Sequence, residues 1–360
     1  MNIAIIGCGT MAETHLIALR SLGFKVNVVV GRNEERTEGF ANKYMIPNWS
    51  IDIKDALDNY EIDSVHVCTP PVSHYETIKM ALEYKKHVIC EKPFVLEESE
   101  AQYLVDLAKK QNVLNAVGYN VRFHEAIRNA HATISSGKLG NLSLISGSYK
   151  QEFHALPAPY SWRYDKNQAG LMLATTEIGS HWIDLMEFLT SKKVEAVSAT
   201  FGNSNPKREI EDGMMYPLTE GSSRETVDVD IDDTAIISFK LEGGTLACAV
   251  LSEIAAGRTN YLNIEINGSD GSFWWNSEQL NQSHFAIGKS SGVNSKVLAF
   301  AGGFNESVVS MLSQIYSDIK NERQSDDSCY ATFEDGLTNI KICNAIYKSA
   351  HSDSQWVSVK

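Results

Sequence analysis

No stretch of this chain offers the roughly 18 consecutive apolar residues that a membrane span needs. Its longest apolar runs, such as residues 26–30 and the interrupted run 63–69, are strand-length. Positive charge is scarce too: 32 Lys and Arg against 45 Asp and Glu leave a net charge of −13. That balance argues against a nucleic-acid partner and against an anionic membrane surface. An anionic cofactor remains admissible, because backbone N–H groups and one or two cations suffice to hold it. The six cysteines (Cys8, Cys68, Cys90, Cys248, Cys329, Cys343) form no C-x-x-C pair. Several close strand-like runs, which points to buried thiols in a reducing cytoplasm rather than to a disulfide or a metal site. The first residues lack a basic segment and a small-residue cleavage site, so no secretory signal is read there. Internal repeats and low-complexity tracts are absent from the sequence.

What is present suits two domains, since 360 residues exceed one ordinary core. The first third alternates β-type runs (2–6, 25–30, 63–68, 87–90, 113–117) with helical patterns (10–22, 34–44, 52–59, 72–84, 96–110). Strands apolar on both faces, alternating with helices, predict an α/β domain with a doubly wound parallel sheet over 1–120. From 121 to 360 the pattern is α+β. Helices are predicted at 123–136 and 177–189 around a strand at 142–151. Longer strands follow at 194–201, 234–240, 245–253, 261–267 and 271–275. The tight turns Glu242-Gly243-Gly244 and Gly268-Ser269-Asp270-Gly271 make these a meander, hence a large open, mostly antiparallel sheet. Residues 203–229, polar and acidic, read as a mobile excursion. Two helices near 306–321 and 333–349 close the chain, the last able to pack back on the first domain.

Gly7-Cys8-Gly9-Thr10-Met11-Ala12 is G-x-G-x-x-A at the junction of the first strand and first helix, the Rossmann context for a dinucleotide. Gly7 serves the tight turn, Gly9 the approach to a pyrophosphate, and Ala12 the close packing of helix on sheet. An NAD-preferring domain places an acidic residue about twenty positions on, for the ribose hydroxyls. Here that place holds Gly31-Arg32-Asn33. A missing carboxylate beside an arginine favours a 2′-phosphate, so NADP is expected over NAD.

Two further segments carry chemistry. Cys90-Glu91-Lys92-Pro93 follows a parallel strand, at the carboxyl end where such sheets bind ligands. Lys92 there can donate a hydrogen bond to a reacting alcohol oxygen. In the second domain, Glu177 and His181 stand four apart on a helical pattern, with Asp184 three beyond. A histidine with carboxylate neighbours is a candidate general base near neutral pH. A lone lysine or histidine is more often structural, and His15, His74 and His124 read as packing or rim residues.

Six ordered motifs together resemble the glucose–fructose oxidoreductase / inositol dehydrogenase / rhizopine-catabolism (Gfo/Idh/MocA) family over nearly the whole chain. They are G-x-G-x-x-A-x-x-H (Gly7 to His15), T-P-P-x-x-H (Thr69 to His74), E-K-P (Glu91 to Pro93), N-x-R-F (Asn120 to Phe123), Trp162-Arg163 and G-x-H-x-x-D (Gly179 to Asp184). The resemblance implies hydride transfer between NAD(P) and a sugar, polyol or related carbohydrate, with no metal. It implies that Lys92, His181 and Glu177 are catalytic, Glu177 standing where the family usually has Asp. Thr69, Pro70, His74, Glu91, Lys92, Asn120, Trp162 and Arg163 join Gly7, Gly9, Thr10, Met11, Ala12, Gly31 and Arg32 as expected cofactor contacts. Arg122 and Tyr160 join Lys92, Glu177 and His181 as expected substrate contacts. A homodimer or homotetramer built on the open sheet is also implied.

Two departures bear on the substrate. Glu177 extends the carboxylate by one methylene, and Gly170-Leu171-Met172-Leu173-Ala174 adds apolar bulk where the family is glycine-rich. Two other classes share these residues: a hydrolase or lyase that oxidises its substrate transiently with tightly held NAD, and a non-catalytic cofactor or sugar sensor.

Overall fold

Strands that are apolar on both faces need cover on both, and the first unit provides it. The computed structural model describes residues 1–289, 292–299 and 302–360. The chain forms two units, Met1–His124 with Gly302–Ile340, and Glu125–Ala301 with Lys341–Lys360. In the first, β1 (Asn2–Ile6), β2 (Lys25–Val30), β3 (Asn48–Ser50), β4 (Ser64–Val67), β5 (His87–Cys90) and β6 (Asn115–Val117) make a six-stranded sheet in the order β3-β2-β1-β4-β5-β6. Every pairing is parallel. The order reverses between β1 and β4, the switch point at which open α/β sheets bind nucleotides. One apolar layer packs Ile3, Ile5 and Val29 against Leu16 and Leu19 of the Thr10–Ser21 helix and against Leu312 and Ile315 of the Phe304–Lys320 helix. The other packs Val65, Val67 and Val88 against Ile78, Leu82 and Leu104.

The three-residue β3 was not among the expected strands. It is too short to show an alternating pattern.

The second unit holds β7 (Leu142–Lys150), β8 (Ala158–Pro159), β9 (Val194–Gly202), β10 (Lys207–Glu211), β11 (Met214–Pro217), β12 (Glu225–Asp228), β13 (Thr234–Leu241), β14 (Leu246–Ser252), β15 (Tyr261–Gly268), β16 (Gly271–Asn276), β17 (Gln282–Ile287), β18 (Asn294–Val297) and β19 (Val357–Ser358). Nine of them form a sheet in the order β18-β17-β16-β15-β7-β14-β13-β9-β19. The meander expectation needs correcting at its centre. β7 is inserted between β15 and β14 and runs parallel to β14, so the sheet is mixed though mostly antiparallel. Trp182, on the Ser180–Thr190 helix, stacks on Phe239 with ring centroids 5.8 Å apart, and its Nε1–H donates to the Asn263 carbonyl at 3.1 Å. One face of the sheet is thereby covered.

Residues 203–229 are not a mobile excursion. β12, β10, β11 and β8 form a four-stranded sheet with its own small core of Ala158, Tyr164, Leu173, Met215, Val229 and Ile231. The polar composition misleads because its charges are paired within the sheet. Arg208, buried, lies over the Tyr164 ring at 5.0 Å and donates to the Asn205 carbonyl. Buried Glu209 accepts from the Thr219 N–H and pairs with Arg224. Among the described residues no helix is long and apolar enough to cross a membrane.

Candidate active site

The glycine turn is built as a dinucleotide requires. Gly7 has φ of +118°, and a Cβ there would lie 2.6 Å from the Cys68 carbonyl oxygen, so only glycine fits this crossing of β1 and β4. A Cβ on Gly9 would meet nothing within 4 Å, so no neighbouring protein atom accounts for glycine at that position. Gly9 is also the N-cap of the Thr10–Ser21 helix and offers no side chain to its first N–H groups. Thr10 is exposed beside it, Met11 is half-buried, and Ala12 is fully buried against the sheet. Bare helix N–H groups at a switch point suit an anionic pyrophosphate, so these residues fit a dinucleotide cofactor.

At the end of β2, a Cβ on Gly31 would collide with the Thr37 hydroxyl at 2.1 Å. Arg32 follows, exposed, and Asn33 caps the Glu34–Lys43 helix by accepting from the Arg36 N–H. The sequence reading missed Arg36. Its guanidinium returns over the glycine turn and donates to the Cys8 carbonyl at 3.2 Å. A surface arginine in the first turn of a helix looks like any solvated cation, and no local pattern marks it.

The two loops after β4 and β5 are tied together by His74. Its ring is wholly buried, with Nε2 2.8 Å from the Thr69 carbonyl and Nδ1 2.9 Å from that of Phe94. Burial lowers its pKa, with the carbonyl contacts opposing. His74 is thus a brace that sets Thr69 and Pro70 against the E-K-P turn. Glu91 is buried against Gly118, and Lys92, half-buried, follows it.

Asn120 is buried and donates to the Ser307 hydroxyl at 2.7 Å. Arg122 is buried too; its guanidinium pairs with Asp335 at 3.2 Å and reaches the Cys329 carbonyl. These contacts fasten residues 329–335 to the end of the parallel sheet. Asp335 answers the guanidinium: burial would raise its pKa, but the Arg122 charge and hydrogen bonds from Thr332 hold it below the usual range.

In the second unit the His181 helix begins one turn later than its pattern indicates. Thr175–Gly179 is a π-helical turn, and the α-helix runs Ser180–Thr190. Asp232 organises this start by accepting from the N–H groups of Leu173 and Thr175 and from the Thr175 hydroxyl. Nothing local in the sequence announces that long-range cap. The apolar run before the helix therefore points inward, Met172 and Leu173 being buried while Leu171 is exposed.

Glu177 uses its extra methylene to meet Arg163, whose Nε lies 3.1 Å from its carboxylate. Arg163 also lies over the Trp162 ring at 4.5 Å. His181 is buried, with the Tyr149 ring 6.3 Å from its own. Around this group stand residues that sequence reasoning did not select. The Tyr149 hydroxyl and the Gln151 amide both donate to the Asn260 side chain. The Tyr164 hydroxyl bonds His154 Nδ1, and Tyr164 stacks at 6.0 Å on exposed Tyr160, itself one of the expected substrate contacts. Burial pushes the His154 pKa down to about 4, against the pull of Glu177, and pushes the Tyr149 phenol up. Both are therefore neutral at pH 7. Asp184 is buried in the same helix.

Residues 1–119 match the oxidoreductase family with the NAD-binding Rossmann fold, and residues 127–274 match the GFO/IDH/MocA C-terminal domain. The chain belongs to the Gfo/Idh/MocA oxidoreductase family. Levoglucosan dehydrogenase of Pseudarthrobacter phenanthrenivorans is 27% identical over 100% of this chain and 98% of its own. The 1,5-anhydro-D-fructose reductase of Ensifer adhaerens is 27% identical over 59% of this chain and 63% of its own. Among solved structures, an oxidoreductase domain protein from Kribbella flavida superposes with a TM-score of 0.91 at 28% identity, covering 99% and 98% of the two chains. A levoglucosan dehydrogenase in complex with NADH and levoglucosan gives 0.89 at 26%, covering 100% and 99%. Within the family, this chain is an oxidoreductase with an NAD-binding Rossmann domain.

Proposed function

We propose that the protein catalyses reversible hydride transfer between a nicotinamide dinucleotide and a secondary carbinol of a sugar, polyol or related carbohydrate. Residues 1–120 bind the cofactor, and 121–360 bind the substrate and a second copy of the chain. The observation that carries this reading is the group around His181: a buried imidazole beside Tyr149, with Glu177 held by Arg163 one turn earlier. Such a group offers a proton acceptor together with the hydroxyl-rich, aromatic surroundings that a carbohydrate needs. The relatives named for levoglucosan and 1,5-anhydro-D-fructose support the same substrate class.

When bound, the cofactor supplies the hydride donor or acceptor. His181 takes the hydroxyl proton during oxidation and returns it during reduction. Lys92 hydrogen-bonds the same oxygen and stabilises its developing alkoxide charge. Glu177, fixed by Arg163, orients the substrate or the His181 ring. Thr69, Pro70, Glu91, Asn120, Trp162 and Arg163 complete the cofactor's surroundings, with His74 acting through the loops it braces. The described cysteines are all free thiols, which supports a reducing, cytoplasmic setting.

The test is a panel of levoglucosan, 1,5-anhydro-D-fructose, polyols, aldoses and keto-sugars with NAD and NADP in parallel, followed by nicotinamide absorbance. Cofactor retained through purification, with turnover but no net absorbance change, would instead indicate transient oxidation by a hydrolase or lyase. Tight binding of cofactor and sugar without turnover would indicate a sensor.

The finer cofactor assignment rests on Arg32. With Gly31 where a ribose-binding carboxylate would stand, NADP(H) is expected to bind at least as well as NAD(H). Arg32→Ala should weaken NADP roughly 10- to 100-fold and NAD much less, as measured by fluorescence titration. Equal losses for both cofactors would remove Arg32 from the 2′ position.

Self-association rests on the outward face of the nine-stranded sheet. Ile236, Leu246, Val250 and Leu144 are 62, 51, 40 and 43% exposed. Ile236 pairs across with Val250 and Leu246 with Leu144, so they share one side. A two-fold axis lets one apolar patch cover its own copy. Ile236→Lys combined with Leu246→Lys should weaken the oligomer roughly 100-fold or more in sedimentation velocity, because each charge would be buried. An unchanged sedimentation profile would place the interface elsewhere.

A further inference from the structure

Beneath the E-K-P turn, Glu91 is joined to a line of buried polar side chains that the chemistry above does not use. Glu91 Oε1 lies 2.9 Å from His15 Nε2, and His15 Nδ1 lies 2.7 Å from His66 Nδ1. His66 Nε2 lies 2.7 Å from the Tyr316 hydroxyl, which lies 2.7 Å from that of Ser64. His15, His66 and Ser64 are 0% exposed, Tyr316 1% and Glu91 7%. His15 comes from the first helix, His66 and Ser64 from β4, Glu91 from the end of β5, and Tyr316 from the Phe304–Lys320 helix. Four segments distant in sequence thus meet on one hydrogen-bonded line.

Counting protons shows that the line has two polarities. A contact between two Nδ1 atoms requires one donor and one acceptor. If His15 is neutral, with its proton on Nε2 facing Glu91, then His66 donates to it, Tyr316 donates to His66, and Ser64 donates to Tyr316. If His15 carries both protons, every bond beyond it reverses: His15 donates to His66, His66 to Tyr316, and Tyr316 to Ser64. Both imidazole rings and the Tyr316 hydroxyl are satisfied in both states, which differ by one proton.

The groups facing His15 are Glu91, His66 and Cys68. Burial, the largest influence, opposes its charging, but Cys68 and the Glu91 carboxylate outweigh that and raise its pKa from 6.5 to about 10. His66 is held well below 6.5, by burial and then by the charge on His15. Tyr316, bonded to Ser64 and within the field of Asp63, is pushed up by burial and keeps its proton. Geometry favours the charged polarity, because it gives the buried Glu91 carboxylate, 2.9 Å from His15 Nε2, a counter-charge in direct contact.

We propose that His15 is a positioning residue for the reaction: a buried imidazolium, its second proton held by the His66–Tyr316–Ser64 line, that fixes and neutralises the Glu91 carboxylate next to Lys92. This inference rests on the role given to Lys92 above. The Glu91 carboxylate follows directly on β5 and precedes the lysine by one residue. With its charge cancelled from below, Glu91 does not compete with the reacting oxygen for the Lys92 ammonium. Proton linkage gives a second consequence. The folded value of about 10 lies above the free-imidazole 6.5, so the stabilisation from this group is complete below pH 6.5 and is lost as pH rises through about 10.

The experiment is ¹⁵N NMR of histidine-labelled protein, alongside pH profiles of kcat and KM for wild type, His66→Phe, His66→Gln and Tyr316→Phe. In the wild type, His15 is expected to show two slowly exchanging ring N–H protons from pH 6 to 9, and His66 a single proton on Nε2. His66→Phe removes the acceptor, so His15 should fall to one proton at pH 7. Its kcat should drop about 10- to 100-fold with a displaced pH profile and a little-changed KM, the scale of a misplaced reacting group. His66→Gln offers an acceptor and a donor again, and should restore the second proton and most of kcat. Tyr316→Phe, nearly isosteric, reports on the line if His66→Phe does not fold, and should shift the pH profile in the same direction. A single-proton His15 in the wild type at pH 7 overturns the proposal. So does an unmoved pH profile in every folded variant. The NMR result stands without any substrate, so an enzyme inactive on all carbohydrates would count against the functional reading and not against this one.

Discussion

His181→Asn is expected to lower turnover by about 10²–10⁴-fold, the contribution of a positioned general acid–base, or roughly 3–5 kcal/mol of barrier. Asparagine keeps approximate shape and a polar contact but cannot accept the hydroxyl proton. The binding of NAD(H) should change little, since the glycine turn and the E-K-P loop belong to the other unit. In the wild type, oxidation needs the neutral imidazole and should rise with pH. Reduction needs the imidazolium and should fall, and both slopes should vanish in the variant. The neighbours narrow the alternatives. His154 is already neutral at pH 7 with a pKa of about 4, so as the base it would give no inflection above pH 5. Tyr149 is held in its phenol form by burial and is a poor acceptor at neutral pH. Near-wild-type turnover with an intact pH profile in His181→Asn would move the acid–base role to Lys92 or to Tyr160.

The parts of this molecule that could be read from its sequence are those where neighbours along the chain determine the outcome. Gly7, Gly9 and Ala12 are legible because a strand, a tight turn and a helix follow within a dozen residues, and each position has one steric demand. The E-K-P and G-x-H-x-x-D segments are legible for the same reason, with the side chains and the elements that present them adjacent. What escaped reading depends on contacts between distant segments. β7 enters the large sheet between strands that follow it by a hundred residues, and periodicity carries no information about that insertion. β10 to β12 look like a polar loop because Arg224 meets Glu209 and Glu211, and Arg208 is buried over Tyr164, only once the strands are paired. Asp232 caps the approach to the His181 helix from 57 residues away. The His15–His66 contact joins the first helix to β4, and singly each residue reads as packing. Arg122, which its motif places among the expected substrate contacts, also pairs with Asp335 across 213 positions, a partner that nothing local in the sequence announces.

Lys92→Ala is the second substitution with a large expected effect, and combining it with His181→Asn gives the sharpest test of the proposed chemistry. Removing one donor to a developing oxyanion lowers kcat by about 10²–10³-fold, so Lys92→Ala alone should fall in that range. It should also raise the apparent KM for the cofactor, which His181→Asn should not, because Lys92 is assigned to both cofactor and substrate. If Lys92 and His181 act on the same carbinol oxygen, the losses will not multiply. Groups that act as a unit are strongly non-additive, so the double variant should be little slower than the worse single one. Kinetics in both directions, with NAD and NADP and the best substrate of the panel, complete the cycle. A double variant whose kcat loss equals the product of the two single losses would mean that the residues act independently. Lys92 would then be a cofactor anchor, and the oxygen that His181 deprotonates would be stabilised by another donor, for which Arg163, already paired with Glu177, is the first candidate.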